Sequence, residues 1–386
     1  MIYFDQAASS HPKPTSVAEA MVYAVNSVGA NPGRGSHALA REASKIIQET
    51  RVKIAELFGG SNPSKVLFYQ NATIGLNQAI KGLSWDKGDH VIASSYEHNS
   101  IRRPLEYISE KCGVSITYID VPEKEEDDQF IQAVQDAIKP NTRLIAMTHA
   151  SNVTGRILPI ADVSKLAKRN SINTILDASQ TAGHLSINMN ELGIDMMVFP
   201  GHKGLLGPQG IGVLMVEGNV NLVPIHHGGT GTFSSVATQP EQWPEYLESG
   251  TLNTPGIAGL RAALTEYEKR INEIVPRETI LAQSLLEGLR EIDGVTCYGP
   301  NSDAYRMPIV AFNIDGISSQ EIGLILDSHY HIAVRAGIHC SPLTHESLHT
   351  TEQGIIRASL SMYNTEEEVH SFLLAIREIV SSYKEL

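Results

Sequence analysis

Short β-rich runs alternate with helix-length amphipathic segments between residues 60 and 216. This alternation is typical of a mostly parallel sheet with helices on both faces. The run from Thr142 to Thr148 is apolar almost throughout, as expected for a central strand that is covered on both sides. The pattern therefore predicts an α/β fold with one seven-stranded sheet, whose strands are Val66–Tyr69, His90–Ser94, Ile116–Asp120, Leu144–Thr148, Thr174–Asp177, Met196–Phe199 and Gly212–Val216.

The pattern changes beyond about residue 260, where helices and strands no longer alternate regularly. The predicted elements there are a helix at Gly259–Arg290, a strand near Met307–Ile314, and helices at Ser319–Ser328 and Thr365–Ser381. A chain of 386 residues exceeds what one hydrophobic core usually serves. We therefore predict a large domain of residues 15–260 and a smaller α+β domain of residues 261–386, which residues 1–14 join or bridge.

Composition and charge narrow the class of protein. Hydrophobic residues make up 42% of the chain, and no apolar stretch reaches the roughly 20 residues of a membrane span. A net charge of -13 argues against nucleic acid as a partner, since phosphate backbones are bound by clustered Lys and Arg. The acidic cluster Glu123–Asp128 is predicted to be a solvated loop. No export signal opens the chain, and three scattered cysteines suit a reducing compartment, so a cytoplasmic location is expected.

The fifteen histidines do not form a metal-binding pattern. The closest pair, His226 and His227, are adjacent and lack the i, i+4 spacing that places two ligands on one helical face. No CxxC pair is present. The sequence therefore predicts no metal site.

One lysine and one aspartate suggest a cofactor. Asp177 ends one apolar run, and Lys203 follows the next within the segment Gly201–Gly204. A lysine can form a Schiff base with the aldehyde of pyridoxal phosphate, and a carboxylate can keep the ring nitrogen protonated. Lys203 alone is compatible with a surface position, but a buried Asp177 needs a partner. His98 and Asn152 fall at the same predicted sheet edge, where ligands bind in such folds.

Several motifs carry a resemblance to a known family. They are YFDQAASS at the start, EHNS at Glu97–Ser100, THASNVTG at Thr148–Gly155, LDASQTAGH at Leu176–His184, GHKGLLGPQGIGVL at Gly201–Leu214, SGTLNTPG at Ser249–Gly256, RAGIHC at Arg335–Cys340, and RASLSMYNTEEE. Over nearly its whole length the chain resembles the cysteine desulfurases, which have the class V aminotransferase fold, and especially their SUF-type, selenocysteine lyase-like branch. The resemblance implies the fold type I of pyridoxal phosphate-dependent transferases, pyridoxal 5'-phosphate as cofactor, and a homodimer.

The resemblance also implies roles for the residues around the cofactor ring. Lys203 binds the cofactor covalently and carries protons, and Asp177 pairs with the ring nitrogen. Gln180 contacts the ring hydroxyl, and Asn152 contacts either that hydroxyl or the substrate carboxylate. His98 stacks on the ring and also moves protons. Without the resemblance, the histidine could simply begin a helix and the asparagine could be a turn residue.

A separate set of residues is expected to hold the phosphate. Ala72 and Thr73 lie between the predicted strand Val66–Tyr69 and a helix predicted to begin near Ile74, whose N-terminus favours an anion. His202 is implied as a further donor. Pro200 stands where many relatives carry a serine that also reaches the phosphate. The threonine that matches Thr251 reaches the phosphate of the neighbouring subunit in related enzymes, which is why a homodimer is predicted.

Two arginines and one cysteine are implied for the substrate. Arg357 resembles the arginine that grips the substrate carboxylate with its two-pronged donors, although an interdomain salt bridge is the simpler interpretation of an isolated arginine. Arg335 either orders the loop before Cys340 or assists with the carboxylate. A lone cysteine is more often a small buried hydrophobe than a nucleophile, and Cys112 and Cys297 keep that interpretation.

Cys340 decides which reaction is predicted. In a cysteine desulfurase its thiolate takes the sulfur of L-cysteine as a persulfide and leaves L-alanine. The short loop implies transfer to an acceptor protein, but Leu343–Thr350 departs from the familiar sequence and leaves the acceptor open. Selenocysteine lyase remains an alternative, as does an aminotransferase or racemase in which Cys340 is structural. A non-enzymatic scaffold is disfavoured by the joint presence of Lys203, Asp177, Arg357 and Cys340.

Overall fold

The computed structural model describes residues 1–33, 35–121, 126–302 and 305–384. In chain order the strands are β1 Ile2–Tyr3, β2 Val66–Tyr69, β3 His90–Ser94, β4 Ser115–Ile119, β5 Thr142–Thr148, β6 Asn173–Asp177, β7 Met196–Pro200, β8 Gly212–Val216, β9 Val295–Tyr298, β10 Ile309–Ile314, β11 Ile332–Ala333, β12 Arg335–Gly337 and β13 Ile355–Ser359. The α-helices are α1 Thr15–Tyr23, α2 Ala38–Phe58, α3 Ala72–Lys81, α4 Asn99–Cys112, α5 Asp127–Ala137, α6 Ile160–Arg169, α7 Met189–Leu192, α8 Thr254–Arg290, α9 Ser319–Tyr330, α10 Pro342–Ser347 and α11 Glu366–Lys384. A π-helical turn at Ala24–Val28 follows α1, and a 3₁₀ turn at Pro63–Lys65 precedes β2.

The largest sheet has seven strands in the order β2-β8-β7-β6-β5-β3-β4. The pairs from β4 through β7 are parallel, whereas β8 runs antiparallel to both β7 and β2. All of the predicted strands are present, and their ends lie within about two residues of the predicted ones because buried apolar runs define parallel strands well. The predicted fold class, α/β with a seven-stranded mostly parallel sheet, is confirmed.

Helices cover both faces of this sheet. On β5, Ile145 and Met147 belong to one core cluster, whereas Leu144 and Ala146 belong to another. Successive side chains of a strand point to opposite faces, so the two clusters lie on the two sides of the sheet. Helices α2 and α6 pack in the first cluster and α3 and α4 in the second.

A four-stranded antiparallel sheet, ordered β12-β13-β10-β9, lies in the C-terminal part of the chain. Its core includes residues of α8, α9 and α11, and Phe4 from the N-terminus is fully buried there. Strand β1 pairs with β11 in parallel. The domain boundaries, at 1–14 with 261–386 and at 15–260, stay a prediction, and helix α8 runs continuously across residue 260.

The acidic cluster predicted to be a loop is partly helical. Asp127 and Asp128 form the first turn of α5, where carboxylates interact favourably with the helix dipole. Asp127 also pairs with Arg156. The loop prediction is therefore wrong at these two positions, while residues 122–125 lie outside the described part of the chain. No helix within the described ranges is both long and apolar enough to cross a membrane.

Candidate active site

Lys203 lies in the tight turn that follows β7. The turn is closed by backbone hydrogen bonds from Leu206 to Lys203 and from Gly207 to Gly201. Burial of the ammonium lowers the pKa of Lys203 to about 8, although the Asp177 carboxylate opposes this effect. A free amine is therefore accessible near neutral pH, as Schiff-base chemistry requires.

The carboxylate of Asp177 lies beside this lysine at the end of β6. In the sheet register Asp177 is paired with Thr148 of β5 and Val198 of β7. Its side chain is buried, and Oδ1 accepts a hydrogen bond from the backbone N–H of Ser179 at 2.9 Å. The strand ends thus bring together the two residues from which the cofactor was predicted.

His98 caps the N-terminus of helix α4, next to Lys203 and Asp177. Its Nδ1 accepts the backbone N–H of Ser100 at 3.1 Å, so in the neutral ring the proton lies on Nε2. Burial lowers the pKa of His98 to about 4; Asp177 opposes this shift, and Lys203 and Arg335 add to it. The imidazole is neutral at physiological pH and presents Nε2–H as its remaining donor.

The turn that carries Cys340 is hydrogen-bonded to the edge of the large sheet. The Cys340 carbonyl accepts from the backbone N–H of Asn99 at 2.8 Å. Asn152 contacts the turn on both sides of the cysteine: its Nδ2 donates to the His339 carbonyl, and its Oδ1 accepts from Ser341 Oγ, each at 2.8 Å. Cys340 itself is exposed. The predicted nucleophile and the predicted cofactor residues therefore belong to one site.

The backbone of this turn has an unusual conformation. His339 and Cys340 have φ values of +50° and +60°, a region that non-glycine residues rarely adopt and that costs about 1–3 kcal/mol per residue. Such conformations persist where neighbouring contacts fix them. Here the His339 ring donates from Nε2 to the carbonyl of Ile355 at 2.9 Å, in addition to the contacts with Asn152.

Arg357 reaches the site from the small antiparallel sheet. The guanidinium is almost fully buried; Nη1 donates to the Asn152 carbonyl at 2.9 Å and Nη2 to Asp5 Oδ1 at 2.8 Å. Arg335 is opposite Arg357 in the β12–β13 register and is exposed. Charges on both arginines lower the pKa of Lys203 after burial and Asp177, which places them within electrostatic reach of that lysine.

The predicted phosphate donors lie at the N-terminus of α3 and beside Lys203. Ala72 and Thr73 are the first two residues of α3, and the Asn71 side chain caps it by accepting from the backbone N–H of Ile74 at 3.1 Å. His202 Nδ1 is buried and has no hydrogen-bond partner among the described residues. Both features suit an anion that needs donors.

The two remaining predicted cofactor residues differ in burial: Gln180 is buried, whereas Thr251 is exposed. Gln180 is buried, and its Nε2 donates to the Ala7 carbonyl at 3.3 Å. Thr251 is exposed on a different segment, where it accepts from Asn31 Nδ2 at 3.4 Å and lines a cavity of about 580 Å³. No hydrogen bond or ion pair joins Thr251 to Lys203 in the described part of the chain, so the role of Thr251 stays a prediction.

Two carboxylates at the site, Asp5 and Glu97, were not among the residues predicted from the sequence. Asp5 pairs with Arg357. Glu97 is fully buried, and both of its oxygens accept from the backbone N–H of Thr148. Burial raises the pKa of Glu97 to about 8. Both acids stand inside motifs that carried the family resemblance, so their position in those motifs was the available signal.

The comparisons with known proteins agree with this geometry. The model of the class-V aminotransferase family matches residues 2–372, and the chain belongs to that family. It is similar to a probable cysteine desulfurase of Methanothermobacter thermautotrophicus, with 34% identity over 98% of this chain and 94% of the relative. Another relative, the cysteine desulfurase of Salmonella agona, is 32% identical over 98% of this chain and 93% of its own. Within the class-V aminotransferases, the chain therefore belongs to the cysteine desulfurases.

Solved structures agree as well. The apo structure of the cysteine desulfurase of Thermococcus onnurineus superposes with a TM-score of 0.93 at 33% identity, covering 99% of this chain and 95% of that one. The cysteine desulfurase CsdA of Escherichia coli, in its S-sulfonic acid form, gives a TM-score of 0.86 at 26% identity and covers 98% and 94%. The predicted family membership and fold type I architecture are confirmed.

Enzymes of this family depend on pyridoxal phosphate, which confirms the predicted cofactor. The residues present fit it. Lys203 offers an amine of lowered pKa, Asp177 offers a buried carboxylate beside it, and His202, next to Lys203 in the chain, offers a buried nitrogen without a hydrogen-bond partner among the described residues. In the described parts of the chain, no group of three or more His, Cys, Asp or Glu side chains is placed to bind a metal.

Proposed function

We propose that this protein converts L-cysteine to L-alanine and takes the sulfur onto Cys340 as a persulfide. The observation that carries this proposal is the anchoring of the Cys340 turn to Asn99 and Asn152 at the Lys203 edge of the sheet. An exposed thiol at that edge can meet a substrate bound there. The names of the relatives in Methanothermobacter and Salmonella point to the same activity.

The residues around Lys203 bind the cofactor and move protons. When bound, pyridoxal phosphate accepts electrons from the substrate carbon that loses its proton. Lys203 holds the cofactor, and its amine, with a pKa of about 8, removes and returns that proton. Asp177 keeps the ring nitrogen protonated. His98 and Gln180 contact the ring, and the donors of Ala72, Thr73 and His202 bind the phosphate.

Arg357 binds the substrate carboxylate, and Asn152 and Arg335 assist it. The Cys340 thiolate then attacks the substrate sulfur. A sulfur–sulfur bond forms and the bond between the β-carbon and sulfur breaks. Its electron pair stays with the β-carbon, which takes up a proton to become the methyl group of alanine, and the α-carbon regains the proton that it lost. L-Alanine leaves, and the terminal sulfur stays on Cys340 until an acceptor or a reductant removes it.

The alternatives fit the site less well. An aminotransferase or racemase with a structural cysteine would keep Cys340 buried, yet this residue is exposed. Cys297 is an example of a structural cysteine, because burial raises the pKa of its thiol to about 11. Selenocysteine lyase uses comparable chemistry, but the relatives named above are cysteine desulfurases.

The assembly and the acceptor belong to the same proposal. The exposed position of Thr251 suits a homodimer in which it reaches the phosphate of the other subunit. Exposed apolar side chains at Val223, Phe233 and Val236, on a segment that also leads to Thr251, suit contact with a second subunit. The short Cys340 turn suits transfer to an acceptor protein, and three unpaired cysteines suit the cytoplasm.

The test is to incubate the holoenzyme with L-cysteine and a reductant and to measure alanine and sulfide, beside L-selenocysteine. We expect equal amounts of alanine and sulfide, and loss of both in Cys340→Ala with the cofactor band retained. Cys297→Ala is the matched control and is expected to remain active. Lys203→Ala should remove or shift the cofactor band. Undiminished activity of Cys340→Ala on L-cysteine would contradict the persulfide mechanism.

A further inference from the structure

The ion pair between Asp5 and Arg357 lies next to the expected position of the substrate carboxylate. We propose that Asp5 is a positioning residue, which holds the Arg357 guanidinium so that its Nε remains free for the α-carboxylate of the amino acid. The inference rests on the proposed function in one respect, that Arg357 receives this carboxylate.

The contacts of Arg357 leave a defined set of donors open. A guanidinium has five N–H donors. One on Nη2 is directed to Asp5 Oδ1 and one on Nη1 to the Asn152 carbonyl, whereas Nε is buried with no partner among the described residues. An unpaired buried donor carries a desolvation cost that a ligand can relieve. A carboxylate that approaches Nε also reaches the adjacent Nη2, which gives the usual two-pronged contact.

A buried guanidinium also needs a counterion before substrate arrives. Arg357 is almost fully buried, and Asp5 is the one carboxylate that pairs with it in the described part of the chain. Removing one member of a buried ion pair leaves an uncompensated charge. Asp5 therefore compensates the buried charge of the arginine and orients it in the resting enzyme.

Hydrogen bonds to β13 fix the position of the chain around Asp5. The backbone N–H of Ser359 donates to the Phe4 carbonyl at 2.7 Å, and Ser359 Oγ accepts from the backbone N–H of Ala7 at 2.9 Å. Ser359 is two residues from Arg357 on the same strand, so both side chains point to the same face. Phe4 is fully buried in the neighbouring core. The carboxylate is thus held at one register position relative to the guanidinium.

The same N-terminal segment continues to the lysine turn. The backbone N–H of Ser10 donates to the His202 carbonyl at 2.9 Å, one residue before Lys203. The segment from Asp5 to Ser10, six residues long, therefore links the arginine strand to the lysine turn. This connection sets the distance between the carboxylate receptor and the reacting amine, which is the quantity a positioning role must control.

The test compares holoenzyme variants at Asp5 with a control ion pair. Asp5→Ala removes the partner of Arg357. Asp5→Glu keeps the charge but moves the carboxylate by one methylene. Asp127→Ala is the matched control, because Asp127 is a partly exposed partner of another buried arginine, Arg156, to which no role in the site is assigned.

We expect Asp5→Ala to raise the KM for L-cysteine about tenfold or more while kcat changes less than about threefold, since loss of orientation weakens carboxylate binding. Asp5→Glu should raise KM about threefold or more at a nearly parental melting temperature, so the inference can be scored even if the alanine variant folds poorly. Asp127→Ala should leave KM unchanged.

A second readout needs no turnover. Binding of L-alanine and of ethylamine, which lacks the carboxylate, is measured by calorimetry on the holoenzyme. We expect Asp5→Ala to weaken L-alanine binding and to leave ethylamine binding unchanged. Equal weakening of both, unchanged affinity for L-alanine, or a parental KM in Asp5→Glu would each overturn the inference. If the parental enzyme binds L-alanine but makes none from L-cysteine, the proposed function fails while the role of Asp5 is still measured.

Discussion

The backbone carbonyl of Cys340 accepts a hydrogen bond from the backbone N–H of Asn99, with 2.8 Å between the two atoms. Asn99 directly follows His98, so this bond links the turn of the nucleophile to the histidine beside the lysine. Thr344 Oγ1 adds a second link by donating to the carbonyl of Ser95 at 3.2 Å. The cysteine turn and helix α10 are therefore fixed to the carboxyl edge of the large sheet, although in sequence they lie between β12 and β13 of the small one.

The anchoring of this turn can be tested at Ser341. Its hydroxyl is fully buried and donates to Asn152 Oδ1. Ser341→Ala leaves that oxygen unpaired, at a cost of about 1–3 kcal/mol. We expect an unchanged cofactor spectrum and persulfide formation slowed about tenfold, measured by single-turnover alkylation of Cys340. Ser347→Ala, whose hydroxyl bonds only within α10, is the control. A parental rate in Ser341→Ala would contradict the anchoring.

The raised pKa of Glu97 predicts that the stability of the fold depends on pH. Its folded pKa of about 8 lies above the ordinary value of 4.5 because burial disfavours the charged form. Between these two values the folded state retains a proton that the unfolded state has lost, so the free energy of unfolding falls as pH rises. Glu97→Gln stays neutral, and its stability relative to the parent should increase from pH 5 to pH 8, measured by urea unfolding.

The control for this experiment is Glu110→Gln, which changes an exposed glutamate on α4. Its stability relative to the parent should not vary across the same pH range. A constant difference between Glu97→Gln and the parent would show that Glu97 is ionised in the folded protein throughout.

The strands were predictable because they are short, almost continuous apolar runs. The predicted ends of Val66–Tyr69, His90–Ser94 and Gly212–Val216 are those observed, and β5 begins two residues earlier than the Leu144 predicted. Buried parallel strands form continuous apolar runs that are visible in one chain. The positions of Asp177 and Lys203 at strand ends followed directly from these runs.

The polar pairs within the site were not predictable in this way. Asp5 and Arg357 are 352 residues apart, and Glu97 is 51 residues from Thr148, whose N–H it accepts. Contacts at such separations leave no periodic signal in one sequence. The anchoring of Cys340 to Asn99 was invisible for a further reason, since it is a backbone hydrogen bond and does not depend on either side chain.

Lys203 predicts how cofactor loading depends on pH. Only the free amine reacts with an aldehyde, and burial lowers the pKa of Lys203 to about 8. The free-amine fraction therefore rises through pH 8 and levels off above it. We expect the rate at which apoenzyme takes up pyridoxal phosphate to follow this curve, measured by the growth of its absorption band at saturating cofactor. A rate that keeps rising to pH 10 would indicate an ordinary lysine.

Gly183 supports the lysine turn by close backbone approach. Its φ is +94°, and a Cβ there would collide with the backbone of Gly204 and Leu205. Gly88 has nearly the same φ, +95°, but open space where its Cβ would be. Alanine costs about 1–2 kcal/mol at either position for the left-handed backbone. We expect Gly183→Ala to lose more stability than Gly88→Ala and also to bind the cofactor more weakly; equal losses and parental binding in both would contradict this.

From the role expected for Thr251 we predict that each site is shared by two subunits. If Thr251 of one subunit binds the phosphate of the other, Thr251→Asp should weaken cofactor binding by charge repulsion, and Lys203→Ala should be inactive. Denaturing, mixing and refolding the two variants makes hybrid dimers in which one site has both native residues. We expect recovery of about a quarter of parental desulfurase activity, because random pairing makes about half of the dimers hybrids and each has one intact site. If Thr251 served its own chain, both sites of a hybrid would be defective and the mixture would stay as inactive as each variant alone.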